Sequence, residues 1–286
     1  MDADGAVKNP SVGIIVHRDL KHPDYPEHKH DDFDEIVIIE AGTATSNING
    51  HNFAVTAGEV FVLPLNTRHS YHDTCNLSLV NLCFKRSVLA PFGSMLNQSP
   101  GFQALFNVQP SLKKKGLFLG RLHLDSAQMA AANLLIDQLQ TELGGNTPLH
   151  QLMGATLFAQ FVTELSRWYE IPKSKKKADT HVLHLARAIS HIETHSDQPL
   201  ETEELARISN MSLRSFYRAF SDAFGESPSN YINRIRVQKA VELMVDRQLN
   251  VTEIAFRVGF EDSNYFTRVF RQLMGETPST YRRQRI

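Results

Sequence analysis

Apolar residues alternate with polar ones through the first third of the chain, and recur at spacings of three and four from about residue 125 onward. Between Val12 and about Leu89 the strand-like stretches are Ile14 with Val16, Glu35-Ile36-Val37-Ile38-Ile39, Val60-Phe61-Val62-Leu63, and the set Leu77, Leu79, Val80, Leu82 and Phe84. Asn49-Gly50 lies between Ser46-Asn47-Ile48 and Phe53-Ala54-Val55. It predicts a two-residue hairpin turn, because both positions accept a positive φ. Ala57-Gly58 predicts another turn, and Pro64 ends the strand that follows it. Short strands at this spacing predict a β-barrel or a double-sheet jelly roll. Residues 1–11 are polar and are expected to be disordered.

The later periodicity is helical. Asp125 and Gln128 form a capping-box pattern, Gly144-Gly145 is a stop, and Met129, Ala132, Ile136, Leu139 and Leu143 make one seam between them. Thr147-Pro148 opens a second helix carrying Leu149, Leu152, Met153, Leu157, Phe158, Phe161, Leu165 and Trp168. These stripes suit an internal core or a dimer contact, and both readings stay open. Pro172-Lys173-Ser174-Lys175-Lys176-Lys177 reads as a solvated linker. Thr180 to His195 predicts a further helix, with Val182, Leu185, Ile189 and Ile192 inward.

From there the chain contains one unit twice. Phe216-Tyr217-Arg218-Ala219-Phe220 returns as Phe266-Thr267-Arg268-Val269-Phe270, and Gly225-Glu226-Ser227-Pro228 returns as Gly275-Glu276-Thr277-Pro278, both at an offset of 50. Each copy predicts helix, turn, helix. Ser212 caps the second helix of the first copy, with Leu213, Phe216, Phe220 and Phe224 inward and Arg214, Tyr217 and Arg218 outward. In the second copy Asn250 caps, Gly259 turns and Asp262 caps again. Phe266, Val269, Phe270 and Leu273 then face inward, leaving Ser263, Asn264, Thr267 and Arg268 outward. Any one such residue is more commonly a solvated surface group. A polar face repeated at the same place in both copies instead suits the major groove, where Arg reads guanine and Asn reads adenine. Between the copies, Ser227-Pro228 starts a helix expected to reach about Val245, a rod of roughly 27 Å at 1.5 Å per residue. Such a rod would hold two reading helices about one DNA turn, roughly 34 Å, apart.

Composition changes the picture modestly. A length of 286 residues suggests two domains, and 42% hydrophobic residues suffice for their cores. No apolar run approaches the roughly 18 residues of a membrane span, and Met1 to Lys8 lacks the apolar core of a signal peptide, so the expected location is the cytoplasm. The two cysteines, Cys75 and Cys83, then read as reduced thiols. Net charge is −1, but residues 210–286 hold 12 Lys/Arg against 8 Asp/Glu. Non-specific DNA affinity is therefore expected to be weak and salt-sensitive.

The run Asn250-Val251-Thr252-Glu253-Ile254-Ala255-Phe256-Arg257-Val258-Gly259-Phe260-Glu261-Asp262-Ser263-Asn264-Tyr265-Phe266, followed by Arg268, Phe270, Arg271, Gly275, Thr277-Pro278 and Tyr281-Arg282, resembles the AraC/XylS family of bacterial transcription regulators. The likeness covers about 100 residues and implies two helix-turn-helix units joined by a helix, with the outward residues above at bases or phosphates. Glu201 stands where Ser or Thr usually caps the first helix, so that start is expected to be looser.

His28-Lys29-His30, Glu35 and Gly42, then Gly58, Pro64 and His69, resemble the two motifs of the cupin superfamily, with Asn66 in place of a usual Gly. That resemblance implies a metal site at His28, His30, Glu35 and His69, or the same residues as polar lining of an effector pocket. Arg68, Tyr71, His72 and Asn81 are further candidates for such a lining. Within the regulator family the layout is most similar to the regulators of L-rhamnose catabolism.

The expected fold is α+β with two domains. A cupin-like effector-sensing β-barrel spans 12–122 and a helical pair for dimerisation 123–171. A linker spans 172–179, and an all-α DNA-binding domain spans 180–286, with helix-turn-helix units at about 202–223 and 250–272. The expected function is a ligand-responsive, sequence-specific DNA-binding regulator, an activator of sugar catabolism genes rather than an enzyme. It requires no cofactor, though a divalent metal in the barrel stays open. Expected partners are double-stranded DNA, a small-molecule effector (a sugar), a second copy of the chain, and RNA polymerase for an activator, with no membrane. Two alternatives are a metal-dependent cupin enzyme with a helical appendage and a DNA binder whose barrel only dimerises. The duplicated motif argues against the enzyme, which has no need of paired reading helices.

Overall fold

The computed structural model describes residues 6–9, 11–113, 122–171 and 177–285. The chain falls into two compact units that divide between Ala186 and Arg187. Most of the predicted linker, 172–176, lies outside the described residues.

Among the described residues, the first unit is built on an eight-stranded antiparallel sheet: β1 (Ala6–Asn9), β2 (Ile14–Asp19), β3 (Tyr25–His28), β4 (Asp34–Ile48), β5 (His51–Thr56), β6 (Glu59–Leu63), β7 (His69–Phe84) and β8 (Leu122–His123). Strands β4 and β7 are the long members and pair along their whole length, with register shifts between Ile39 and Thr45 that bend both. The predicted hairpin is present. Asn49 and Gly50 have φ of 49° and 83°, and Ile48 pairs with His51 across them. Asn66 also adopts a positive φ, 63°, as its amide side chain tolerates. The expectation of disorder over 1–11 is corrected at Ala6–Asn9, which pairs with β2. Asn9 is buried there and donates through Nδ2 to the Gly145 carbonyl at 3.1 Å, a tie to a residue 136 positions away.

The pleat sorts side chains between two cores. Ile36, Ile38, Val60, Val62, Val80, Leu82 and Phe84 point to one face, where they meet Ile136, Leu139, Phe158, Phe161 and Leu165 of a helical layer. Val37, Ile39, Phe61, Leu63, Tyr71, Leu77 and Leu79 point to the other face and are buried among themselves with Ala44, Ile48 and Val55. A sheet face that buries its own residues from both ends of β4 and β7 must curl over itself, which is the barrel-like architecture expected.

The helical layer is α4 (Ser126–Leu143) and α5 (Pro148–Glu170), preceded by a helical stretch that the strand periodicity did not predict. That stretch contains a 3-10 turn (Arg86–Phe92), α1 (Gly93–Leu96), α2 (Pro100–Phe102), a π-helical segment (Gln103–Val108) and α3 (Gln109–Lys113). The Asp125–Gln128 capping box forms as predicted, and Thr147 caps α5 by accepting from the His150 amide. On α5 the predicted stripe splits. Phe158, Phe161 and Leu165 are buried, whereas Leu149, Leu152 and Met153 are exposed.

The second unit holds the end of α6 (Lys177–His195), then α7 (Thr202–Ile208), α8 (Leu213–Phe224), α9 (Pro228–Leu243), α10 (Val251–Arg257), α11 (Ser263–Met274) and α12 (Pro278–Arg285). Ser227 caps α9 with Pro228 at its first position, but the helix has 16 residues rather than the 18 expected. The rod is therefore about 24 Å at 1.5 Å per residue. Val237, Ala240 and Met244 of α9 pack against Ile254, Ala255, Val258, Phe260, Phe266, Val269 and Phe270. Tyr231 at the other end of α9 meets Phe220 and Phe224, at ring separations of 5.4 and 5.2 Å. Leu213 and Leu273, expected inward, are 38% and 43% exposed, because each sits at a helix end past the core it was assigned to. No described helix is long and apolar enough to cross a membrane.

Candidate functional site

The two helix-turn-helix units are conformational copies. The turn residue is Asn210 in the first and Gly259 in the second, both with positive φ, 47° and 97°. The next amide reaches back in the same way each time: Met211 N–H donates to Ala206 at 2.9 Å, and Phe260 N–H to Ala255 at 3.0 Å. Glycine is required only in the second, where a Cβ would lie 2.4 Å from the Ser196 carbonyl oxygen. Ser212 and Asp262 then cap α8 and α11. Asn250 forms a full capping box with Glu253, whereas Glu201 makes no side-chain cap bond, the looser start expected at that position.

These caps and cores turn one polar face of each second helix outward. Arg214, Tyr217 and Arg218 are exposed on α8. On α11, Asn264 and Arg268 are exposed while Ser263 and Thr267 are half-buried, the Thr267 hydroxyl donating to the Ser263 carbonyl at 2.9 Å. Sequence reasoning missed Tyr265. Its ring lies 5.1 Å beneath the Arg268 guanidinium, and its hydroxyl accepts from Asn233 Nδ2 of α9 at 2.9 Å. An aromatic one turn before an exposed Arg is the signal that would have found this contact.

In the sheet unit, His28, His30, Glu35 and His69 come together as expected. Nitrogens of the three imidazoles all lie within 4.8 Å of one another. Glu35 Oε2 is 3.3 Å from His69 Nε2 and 3.7 Å from His30 Nε2. Register explains the meeting: His28 pairs with His69 across β3 and β7, and Glu35 stands inward on β4 opposite Cys83. These contacts are not ion pairs at neutral pH. Burial pushes the Glu35 carboxyl up to about 8. Burial and then the neighbouring His28 pull His69 down to about 3, and the same two causes lower His30. His69 points Nδ1 at the Thr67 carbonyl (3.3 Å), which leaves Nε2 as the acceptor facing Glu35.

Around this cluster the Tyr71 hydroxyl, Asn81 Oδ1 and Ser46 Oγ are buried without a hydrogen-bond partner, as is Glu35 Oε2. Buried polar atoms in this state call for a ligand or water. Of the further candidates, the Tyr71 ring lies 6.3 Å from that of His69, and Asn81 pairs with Val37 on the sheet face that carries Glu35. Arg68 pairs instead with Glu27 near the surface (3.6 Å), and exposed His72 contacts Ser70 (2.9 Å). Phe33, stacked on His30 at 4.6 Å, is an added wall. Cys75 and Cys83 are both free thiols, one exposed and one buried. As a donor set, three imidazoles and one carboxyl fit a divalent first-row ion once Glu35 ionises.

Residues 13–162 match the model of the AraC-like ligand binding domain, and residues 205–284 match that of a helix-turn-helix domain. The first match alone spans more than half of the chain. The chain belongs to the AraC family of transcription regulators. As a member of that family it is a ligand-responsive DNA-binding regulator, and its relatives are regulators rather than enzymes. It is 27% identical to the HTH-type transcriptional activator RhaS of Escherichia coli over 275 residues, covering 96% of this chain and 94% of that one. It is 29% identical to the RhaS of Enterobacter sp. (strain 638) over 272 residues, covering 95% and 92%. Among solved structures, the DNA-binding domain of AdpA in complex with a target DNA is 30% identical, covering 35% of this chain and 89% of that one, with a TM-score of 0.34.

Proposed function

We propose that this AraC-family chain activates transcription of sugar-catabolism genes from the cytoplasm. In this reading α8 and α11 enter successive major grooves. Arg214, Tyr217, Arg218, Ser263, Asn264, Thr267 and Arg268 contact bases or phosphates, and α9 sets their spacing. The observation that carries it is the repeated turn geometry, which turns the same face of both second helices to solvent. The activator sense is supported by the name of the relatives above, and RNA polymerase is then the partner.

His28, His30, Glu35 and His69, with Tyr71, Asn81 and Ser46, form the effector pocket. An uncharged carboxyl beside neutral imidazoles, a phenol and an amide offers donors and acceptors in equal measure, which suits a polyhydroxylated neutral molecule. The same four residues would hold a divalent ion, which would supply Lewis acidity; reversible recognition by a sensor needs none. A second copy of the chain is expected on the helices after the sheet, where Leu149, Leu152 and Met153 are exposed. Footprinting of the neighbouring promoter region with and without candidate monosaccharides tests the whole reading. Two protected half-sites per chain about one helical turn apart, strengthened by one sugar, are expected. A single protected half-site would overturn the paired-helix assignment.

A further inference from the structure

The sheet unit has a cleft on the opposite face of the sheet from the His–Glu cluster. Phe84, at the end of β7, points to the helix-bearing face with Leu82 and Val80, as Asp34, its partner in register, does from β4. Phe84, Leu89, Leu96, Phe102 and Phe106 wall a cleft of about 160 Å³, and Arg86, Asn97 and Asn107 stand among its lining. A volume near 150 Å³ takes one benzene-sized molecule. The walls suit a ring: Phe102 and Phe106 are stacked at 4.8 Å, and Phe84 meets Phe106 edge-on at 6.4 Å. The backbone here is irregular as well. Phe106 and Asn107 lie in the π-helical segment, a conformation that recurs where helices carry function.

Arg86 defines the polar end. Its Nε bonds the buried Asp34 carboxylate, so its charge is already offset. Its other two nitrogens reach Asn107 Oδ1 and the Phe106 carbonyl at 3.4 Å each, long for N–H···O bonds, and thus have donor capacity to spare. We propose that this cleft binds an uncharged, benzene-sized molecule bearing one hydrogen-bond acceptor, with the ring on Phe84, Phe102 and Phe106 and the acceptor on Arg86. A carboxylate is disfavoured, because it would face Asp34 across a guanidinium that is already neutralised. The site is independent of the effector pocket and of its assignment.

The test is ¹⁹F NMR titration of the full chain with 4-fluoroacetophenone, 4-fluorotoluene and 4-fluorobenzoate. Saturable binding of the ketone, at least fivefold tighter than the toluene and the benzoate, is expected, with Overhauser contacts from its ring to Leu89 and Leu96 methyls. Gly93 lines the cleft with a helical φ of −56°, and a Cβ there would meet nothing within 4 Å. Gly93→Phe should therefore fold and weaken the ketone tenfold or more. Arg86→Lys keeps the charge on Asp34 but removes the fork. It should bring the ketone down to the affinity of the toluene and leave the toluene unchanged. Absence of saturation in the unaltered protein, or equal ketone binding in a folded Gly93→Phe, would overturn the site. A benzoate that binds tighter than the ketone would overturn the ligand class.

Discussion

Arg218 and Arg268 occupy equivalent places in the repeat, but the second is better prepared. Arg268 rests over Tyr265, which Asn233 holds from α9. Replacing either Arg by Ala should weaken operator binding by about 1–3 kcal/mol, the value of one specific base contact, with the melting temperature unchanged. Electrophoretic mobility shifts at fixed salt measure this, and unchanged affinity in both variants would remove the two residues from the interface.

Glu35 makes a residue-scale prediction of a different kind. Its folded pKa of about 8 exceeds the ordinary 4.5, so the stability present below 4.5 is lost as pH rises toward 8. Each unit of separation is worth about 1.4 kcal/mol. His69, depressed to about 3 from 6.5, acts in the opposite sense, its contribution being lost as pH falls below 6.5. In chelator-treated protein, Glu35→Gln should therefore flatten the fall in melting temperature between pH 5 and pH 8 and leave the acid side unchanged. Parallel pH profiles for variant and parent would mean that Glu35 is ionised in the fold. The meeting of these residues was legible only through the two motifs. Tyr71 and Asn81 stood among four further candidates whose direction the sequence left open, and Ser46 was not among them, because which face a strand residue takes depends on register.

At the scale of elements, α9 and the clasp at its end hold the DNA-reading unit together. Arg282 of α12 donates through Nε to the Met244 carbonyl (3.1 Å), through Nη1 to that of Leu249 (2.6 Å), and through Nη2 to that of Asp246. These are the orphan carbonyls of the α9 C-terminus and the loop before α10. Arg282→Ala should cost about 2–3 kcal/mol, as charged hydrogen bonds to backbone do, and a denaturant melt of the full chain would register it. A loss under about 0.5 kcal/mol would mean the loop holds without the clasp. Ile235→Pro breaks α9 near its middle at about 3 kcal/mol or more. Footprints of this variant should keep at most one half-site; protection of both would show that the rod does not set the spacing. The caps and turns of these helices were readable locally, since Ser212, Asn250, Asp262 and Gly259 each act on backbone within a few residues. The 16-residue end of α9 was not, because Arg282 lies 38 positions from the carbonyl of Met244 that it satisfies.

For the whole molecule, the effector and the operator bind different units, 1–186 and 187–286, so any response must be a coupling between them. The proposed pocket predicts that effector-dependent DNA binding survives chelation and that purified protein carries less than stoichiometric metal. Elemental analysis with mobility shifts before and after chelation decides this. One equivalent of a transition ion whose removal abolishes the response would replace the hydrogen-bonding pocket with a metal-centred one.

The features legible in one dimension are those whose physics is local. Period two against period three and four separates a strand unit from helical ones, Asn49-Gly50 makes its hairpin, and the repeated caps and turns give two helix-turn-helix units and the family. Decisions that needed the assembled chain concern partners far apart. Ala6–Asn9 became a strand because β2 offered an edge and Gly145 an acceptor for Asn9. Residues 86–113 became irregular helices, since Leu89, Leu96, Phe102, Leu105 and Phe106 had to join the core on the helix-bearing face of the sheet, beside Arg86 and Asp34. Leu149, Leu152 and Met153 share a stripe with Phe158 and Phe161 but stay exposed, because only the later turns of α5 meet the sheet core. Periodicity reports which residues share a face; burial depends on what the rest of the fold brings to it.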